Sequence, residues 1–376
     1  MRILYIAYPL LPLSEHSAGG AEQVLWTLER EMYRRGNRTC VAACDGSQVA
    51  GELFASGDSN GHLDAFEKAA EEQKARVAEW LLGGAASDFD VIHDMSGGFW
   101  PHANELPLPL LATLHLPLGL YKNVEFGTVP ERVWFNCVSQ SQIAEFRGLP
   151  QVMGSVANGI ALDRFPESVV PYQKREYLLW LGRICEEKGT HTALDVAHAG
   201  AARLIIAGSV YPFLYHQKYF AREIIPRLKR AGDRAKFVDH PTFYEKIELI
   251  RNARALLITS EINETSSMVA MEAAACGTPV IALRRGALAE VVEPGVTGIL
   301  VDDSAAMISA LSRIAEINTN QCRQFAQAHH SAERMADGYS ELYEKILDCG
   351  TILNVASAGA ASGASAWALG ADRSDS

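Results

Sequence analysis

Glu264-Thr-Ser-Ser-Met-Val-Ala-Met-Glu272, then Ala-Ala-Ala-Cys-Gly277-Thr-Pro279-Val-Ile-Ala, then Gly286, Glu290 and Gly295-Val-Thr-Gly298, is the stretch on which the reading of this chain turns. Two carboxylates stand eight positions apart across a loop-to-helix junction, and a Gly-Thr-Pro turn leads directly into an apolar strand. Were the span wholly helical, it would rise roughly 12 Å, about the distance from sugar to ribose in an extended nucleotide-sugar. The helix start between the carboxylates is a natural seat for a diphosphate, because its unpaired N–H groups and dipole favour anions. For this pair alone, a surface helix with two unrelated glutamates is an equal reading.

Outward from that stretch, short apolar runs alternate with amphipathic segments, the pattern of parallel sheets covered by helices. In the first half, strands are expected at Arg2–Tyr8, Arg38–Cys44, Val91–His93, Leu110–Leu114 and Asn136–Ser139. Helices are expected at Ala21–Arg35, Leu63–Leu82 and Gln140–Arg147. Between about Ala157 and Glu176 the periodicity lapses and Pro166 and Pro171 appear, which marks a boundary. A second set follows, with strands at Tyr177–Leu181, Arg203–Ala207, Lys236–Asp239, Ala255–Thr259, Val280–Leu283 and Ile299–Val301. Helices begin near Thr190, span Tyr215–Arg230 and Tyr244–Asn252, and cover Glu264–Glu272. The resulting division is a domain over 1–160, a hinge over 161–176 and a second domain over 177–330. A helix over 331–350 is expected to pack back toward the first domain, and an Ala/Gly/Ser-rich tail over 351–376 is expected to be disordered. Two doubly wound domains place a ligand at strand carboxyl ends, in the cleft between them.

The 376 residues exceed one typical core, which agrees with two domains. A net charge of −11 argues against nucleic acid and against a polybasic membrane contact, though not against phosphorylated ligands held by a few local cations. Seven scattered cysteines without paired metal spacing read as reduced thiols of a cytoplasmic protein. Pro9 and Pro12 interrupt the apolar start, so a buried first strand is expected there rather than a secretory leader. No run approaches the roughly 18 apolar residues of a membrane span.

Further candidates sit at strand ends. Gly182-Arg183-Ile-Cys-Glu-Glu-Lys188-Gly189 follows an apolar strand, and its two cations suit clamping a diphosphate. Ser17-Ala-Gly19-Gly20-Ala-Glu22 joins the first strand to the first helix, where glycines let backbone approach a phosphate; it lacks the third glycine of a dinucleotide fingerprint. His93 and His115 end strands facing the expected cleft, where an imidazole can bond a sugar hydroxyl or act as a base. Asp88-Phe-Asp90 has the form of a metal-binding pair but precedes a strand, at the far end from the cleft, and reads as a solvated turn. Asp302-Asp303 reads as a helix start. No metal site, P-loop or Ser/Cys nucleophile motif is found.

Together these segments resemble the retaining nucleotide-sugar glycosyltransferases of family four, the glycosyl transferases group 1, over nearly the whole chain to about residue 347. The resemblance is strongest at Gly182-Arg183 with Lys188-Gly189 and from Glu264 through Gly298. It extends to Gly19-Gly20-Ala-Glu22, His93, Thr113-x-His115, Val138-Ser139-Gln-Ser141 and Asn158-Gly159-Ile160. It implies the GT-B fold: α/β, two Rossmann-like doubly wound domains facing each other across a cleft. It also implies transfer of a hexose from a UDP- or GDP-linked sugar to an acceptor hydroxyl, by front-face attack, without protein nucleophile, metal or cofactor other than the donor substrate. In that frame Glu272 binds the ribose, Glu264 the donor sugar near C3, and Arg183 and Lys188 the departing diphosphate. Gly19, Gly20, Gly182, Thr265, Ser266, Ser267 and Val269 line the nucleotide-sugar, His115 contacts the sugar or positions the acceptor, and His93 and Asn158 lie on the acceptor side.

One departure matters: Thr265-Ser266-Ser267 stands where the family commonly has Gly-Phe-Gly or Gly-Phe-Pro, so side chains fill space a glycine leaves open. Two other readings share the architecture, a non-catalytic nucleotide- or glycan-binding protein and a nucleotide-sugar epimerase or phosphorylase. The acceptor, whether sugar, lipid-linked sugar or small metabolite, is not named by these motifs. No nucleic-acid partner is expected.

Overall fold

The computed structural model describes residues 1–9, 11–17, 19–58, 66–121 and 126–366. Its first half is a seven-stranded parallel sheet of β1 (Arg2–Ile6), β2 (Arg38–Ala43), β3 (Glu52–Ala55), β4 (Val91–Asp94), β5 (Leu110–Leu114), β6 (Val133–Cys137) and β7 (Val152–Ser155), in the order β3-β2-β1-β4-β5-β6-β7. Helices α1 (Gly20–Arg34), α2 (Phe66–Leu82) and α3 (Gln140–Ile143) belong to this half. The second sheet holds β8 (Tyr177–Leu181), β9 (Arg203–Gly208), β10 (Ala235–Asp239), β11 (Ala255–Ile258), β12 (Val280–Leu283) and β13 (Gly298–Val301), ordered β10-β9-β8-β11-β12-β13. Its helices are α4 (Thr190–Ala199), α5 (Leu214–Tyr219), α6 (Ile225–Ala231), α7 (Phe243–Asn252), α8 (Met268–Ala275), α9 (Leu288–Val291), α10 (Ser304–Arg313) and α11 (Thr319–His329).

The central strands of each sheet are buried on both faces. Ile3 and Tyr5 pack one way with α1, while Leu4 and Ile6 pack the other way with Val77 and Leu81 of α2. In the second sheet Leu179 and Leu256 face α8 and α11, while Leu178 and Trp180 face α4 and α10. Strand order reverses between β1 and β4 and again between β8 and β11, and such switch points open a crevice at the strand carboxyl ends. The loops after β1, β8 and β11 therefore meet where a ligand is expected.

The chain crosses back once more. Ile160 N–H donates to His330 O at 2.9 Å, and Ala332 N–H donates to Ile160 O at 3.0 Å. From there α12 (Ala332–Ala366) returns to the first sheet, placing Met335, Ala336, Tyr339 and Tyr343 in one core with Ile3 and Tyr5.

Several local expectations are corrected. The helix expected over Glu264–Glu272 begins only at Met268, leaving Glu264 in the preceding loop. The Tyr215–Arg230 helix is broken by a π turn at Phe220–Ile224, just ahead of Pro226, which has no N–H to continue the ladder. The Gln140–Arg147 helix closes at Ile143. Edge strands β3 and β7 were not expected. The final helix continues through Ala366 into the tail expected to be disordered, consistent with alanine's high helix propensity; residues 367–376 of that tail, and 63–65 of the second expected helix, lie outside the described residues. Asp90 is held by Arg2 at 2.6 Å at the amino end of the sheet, and Asp303 caps α10 by accepting from Ala306 N–H at 2.8 Å. Among the described residues no helix is long and apolar enough to cross a membrane.

Candidate active site

Glu264 owes its position to a glycine. Its backbone forms a parallel bridge with Gly286, and Ala287 N–H donates to Glu264 O at 2.7 Å. Gly286 has φ +53°, and a Cβ there would come within 2.3 Å of Glu264 O, so only glycine fits. The Glu264 carboxylate receives Lys188 Nζ at 2.6 and 2.7 Å and the hydroxyl of Ser260. Lys188 comes from the loop after β8 and Glu264 from the loop after β11, the two strands flanking the switch point. Those loops also touch at Gly189, whose φ is +64° and whose added Cβ would sit 2.0 Å from Thr259 O.

Ser267 is the N-cap of α8 but makes no side-chain cap bond, so the first-turn N–H groups point outward without a side-chain acceptor. Gly20 lies opposite, close enough that a Cβ would stand 3.8 Å from Met268 Cγ. Ser266 Oγ is buried with no partner among the described residues. Val269 is half-buried against the second-sheet core. One turn on, Glu272 is 1% exposed; its Oε1 takes Lys246 Nζ at 2.7 Å while Oε2 has no described partner. The outcome is two lysine-paired carboxylates on either side of an uncapped helix start. Gly182 ends β8 by donating to Ala207 O at 3.1 Å, and exposed Arg183 lies 5.7 Å from the Tyr211 ring centre.

From the first domain, Gly19 caps α1, and the buried Glu22 carboxylate folds back over it. His115 reaches the cleft: its carbonyl accepts from Thr265 Oγ1 at 2.7 Å, while its Nε2 is buried without a described partner. Burial pushes its pKa down to about 4, so the ring is neutral and a weak base. His93 does not reach the cleft, which corrects its assignment as an acceptor-side residue. It is fully buried, with one ring nitrogen on Tyr343 Oη at 2.6 Å and the other on Thr113 Oγ1 at 2.7 Å. Asn158, 5% exposed, sits near the Ile160 crossing, with no partner for Oδ1 among the described residues.

Residue patterns did not reveal the remaining contacts across the cleft. Glu290 accepts backbone N–H from Gln140 at 2.8 Å and from Ser141 at 2.7 Å, capping α3 from the other domain. Arg164 stacks between Trp26 (4.9 Å) and Phe243 (3.9 Å) and donates to Glu15 O at 2.6 Å. Lys246 carried no motif of its own.

The chain is similar to several known proteins. Residues 163–332 match the family model described as glycosyl transferases group 1. A D-inositol 3-phosphate glycosyltransferase of Thermobifida fusca is 27% identical over 318 residues, covering 71% of each chain. Sucrose-phosphate synthase from Thermosynechococcus elongatus superposes with a TM-score of 0.75 at 20% identity, over 92% of this chain and 99% of that one. HepE of Anabaena, solved with UDP-glucose, gives 0.70 at 18% identity, over 92% and 100%. The structural likenesses show the GT-B architecture, and the family match with its named relatives makes the chain a glycosyltransferase. The family match runs from the hinge through the second domain to the start of α12.

Proposed function

We propose that this enzyme is a retaining transferase that moves a hexose from a UDP- or GDP-linked sugar to an acceptor hydroxyl. One observation carries the reading. The Lys188–Glu264 pair stands beside the uncapped start of α8, with Gly20 backbone facing it. The diphosphate sits on the α8 N–H groups, where partial positive charge and open donors favour an anion. Glu272 takes the ribose hydroxyls and Glu264 those of the hexose. As the C1–oxygen bond breaks, the leaving oxygen gains charge that Lys188, Arg183 and the helix start stabilise. The acceptor oxygen bonds to C1 on the face being vacated, and its proton passes to the departing diphosphate. His115, neutral and weakly basic, serves as a hydrogen-bond partner for a hydroxyl rather than as the base. The cations present supply the field this step requires, so in this reading it needs neither metal nor cofactor. Seven free cysteines fit a reducing, cytoplasmic location.

UDP-sugars come first as donors, because HepE of the same fold was solved with UDP-glucose. Calorimetry with free UDP and GDP, together with donor turnover, tests the assignment. Glu272→Ala should weaken nucleotide binding about tenfold or more, as loss of a charged hydrogen bond of roughly 1.5–3 kcal/mol implies. Glu264→Gln should retain nucleotide binding and lose most turnover. Wild-type protein that binds neither nucleotide, or variants indistinguishable from it, would overturn the proposal.

A further inference from the structure

The loop that carries Arg183 and Lys188 is anchored beneath by groups the transfer does not use. Cys185 Sγ, a Glu187 carboxylate oxygen and a His216 ring nitrogen lie within 4.8 Å of one another. Cys185 and His216 are both fully buried. Neither ring nitrogen of His216 has a hydrogen-bond partner among the described residues, and Glu187 Oε2 is likewise buried and unpartnered. Cys185 Sγ donates to Arg183 O at 3.6 Å, but a buried polar atom left unsatisfied costs about 1–3 kcal/mol, so the unpartnered Glu187 oxygen and His216 ring that meet beside it call for a shared partner. His216 cannot easily swing out to water: it lies in the first turn of α5, with its ring 6.1 Å from Tyr211, 5.3 Å from Phe213 and 4.2 Å from Tyr215.

We propose that Cys185, Glu187 and His216 bind a divalent zinc-type cation that ties the Gly182–Gly189 loop to α5. The donor set supports this choice. Thiolate, imidazole and carboxylate together suit zinc, whereas magnesium and calcium prefer oxygen alone. A thiolate and a carboxylate balance a dication. A thiol binds such a cation only as thiolate, so loading expels the Cys185 proton to solvent. The cation's role is structural: it fixes the loop and takes no part in the proposed transfer.

Cobalt(II) titration of metal-stripped protein tests this in a Cys349→Ser background, since Cys349 is the exposed thiol. The background protein should take up about one cobalt with a thiolate-to-metal charge-transfer band, which zinc displaces. Cys185→Ser should lose the band, and Glu187→Gln should weaken binding at least about tenfold. Saturating zinc should raise Tm by about 3 °C or more in the background protein and leave a Cys185→Ser/Glu187→Gln variant unmoved. Circular dichroism identifies any variant that fails to fold, and Glu187, half-exposed, is the substitution least disruptive to packing. Equal cobalt affinity in the background and the doubly substituted protein, or a charge-transfer band that survives Cys185→Ser, would overturn the site.

Discussion

Gly189 shows how much of this site hangs on one missing methyl. Its φ of +64° suits glycine, and any Cβ would run into Thr259 O, a backbone atom that cannot step aside. Gly189→Ala should therefore cost about 1–3 kcal/mol in stability. Because Lys188 is its neighbour, donor turnover should fall further than Tm alone explains; equal Tm and turnover in the variant would refute the argument. Histidine burial sets a different residue-scale expectation. Burial lowers His115 and His330 to about 4, whereas the unfolded chain titrates near 6.5. Between those values the unfolded state binds more protons, so this stability is complete above about pH 6.5 and is lost as pH falls toward 4. Each histidine should contribute about 2 kcal/mol to the loss between pH 7 and 5. His330 Nε2 bonds Val291 O at 3.2 Å, a contact an amide side chain can also make, so His330→Gln is the gentler variant to make. Melting across that range should show a shallower slope for His330→Gln than for wild type; parallel curves would refute it.

At the scale of elements, α12 is the clearest case of structure set by distant sequence. Its Tyr343 hydroxyl bonds His93 at 2.6 Å across 250 residues, inside the core beneath β1 and β4. Tyr343→Phe keeps the packing but strands a buried imidazole nitrogen, and should cost about 1–3 kcal/mol. Tyr343→Ala adds a cavity and should cost about 3–5 kcal/mol. Chemical denaturation separates the two, and a Tyr343→Phe variant as stable as wild type would mean that the hydrogen bond contributes nothing. The same pairing explains what the sequence could and could not disclose. Central strands such as β1 and β8 are apolar runs bounded by breakers, and they were legible. Edge strand β3, Glu52-Leu-Phe-Ala, is mostly exposed and carries no such run, so it was not. Lys188, Glu264 and Glu272 were legible because they sit in short motifs at strand ends or a helix start. Lys246 on Glu272, Glu290 on Gln140 and Tyr343 on His93 were not, because sequence patterning reports a residue's own element and not what docks on it from 26, 150 or 250 positions away.

For the whole molecule, the two sheets meet through a small set of polar links and one crossing of the backbone. Ile160 bonds His330 and Ala332 through main-chain groups, a connection that rotation of the domains need not break. Farther from that crossing lie the links that opening must sever: Thr265 on His115 O, and Glu290 on the first N–H groups of α3. Glu290 makes two charge-assisted bonds in a partly exposed setting, together worth about 1–2 kcal/mol. That is little beside either core, but it acts on the equilibrium between open and closed forms, where about 1.4 kcal/mol changes a population ratio tenfold. Glu290→Ala should leave Tm nearly unchanged, enlarge the radius of gyration seen by X-ray scattering, and raise the donor KM several-fold with a smaller effect on kcat. Thr265→Val should act in the same direction through the other link across the cleft. Combined, the two should fall short of additive, because the second substitution acts on a molecule already open. Fully additive effects on KM, with scattering identical to wild type, would mean that Glu290 stabilises only α3 and that the closed cleft is held by the crossing at Ile160 and the Arg164 stack alone.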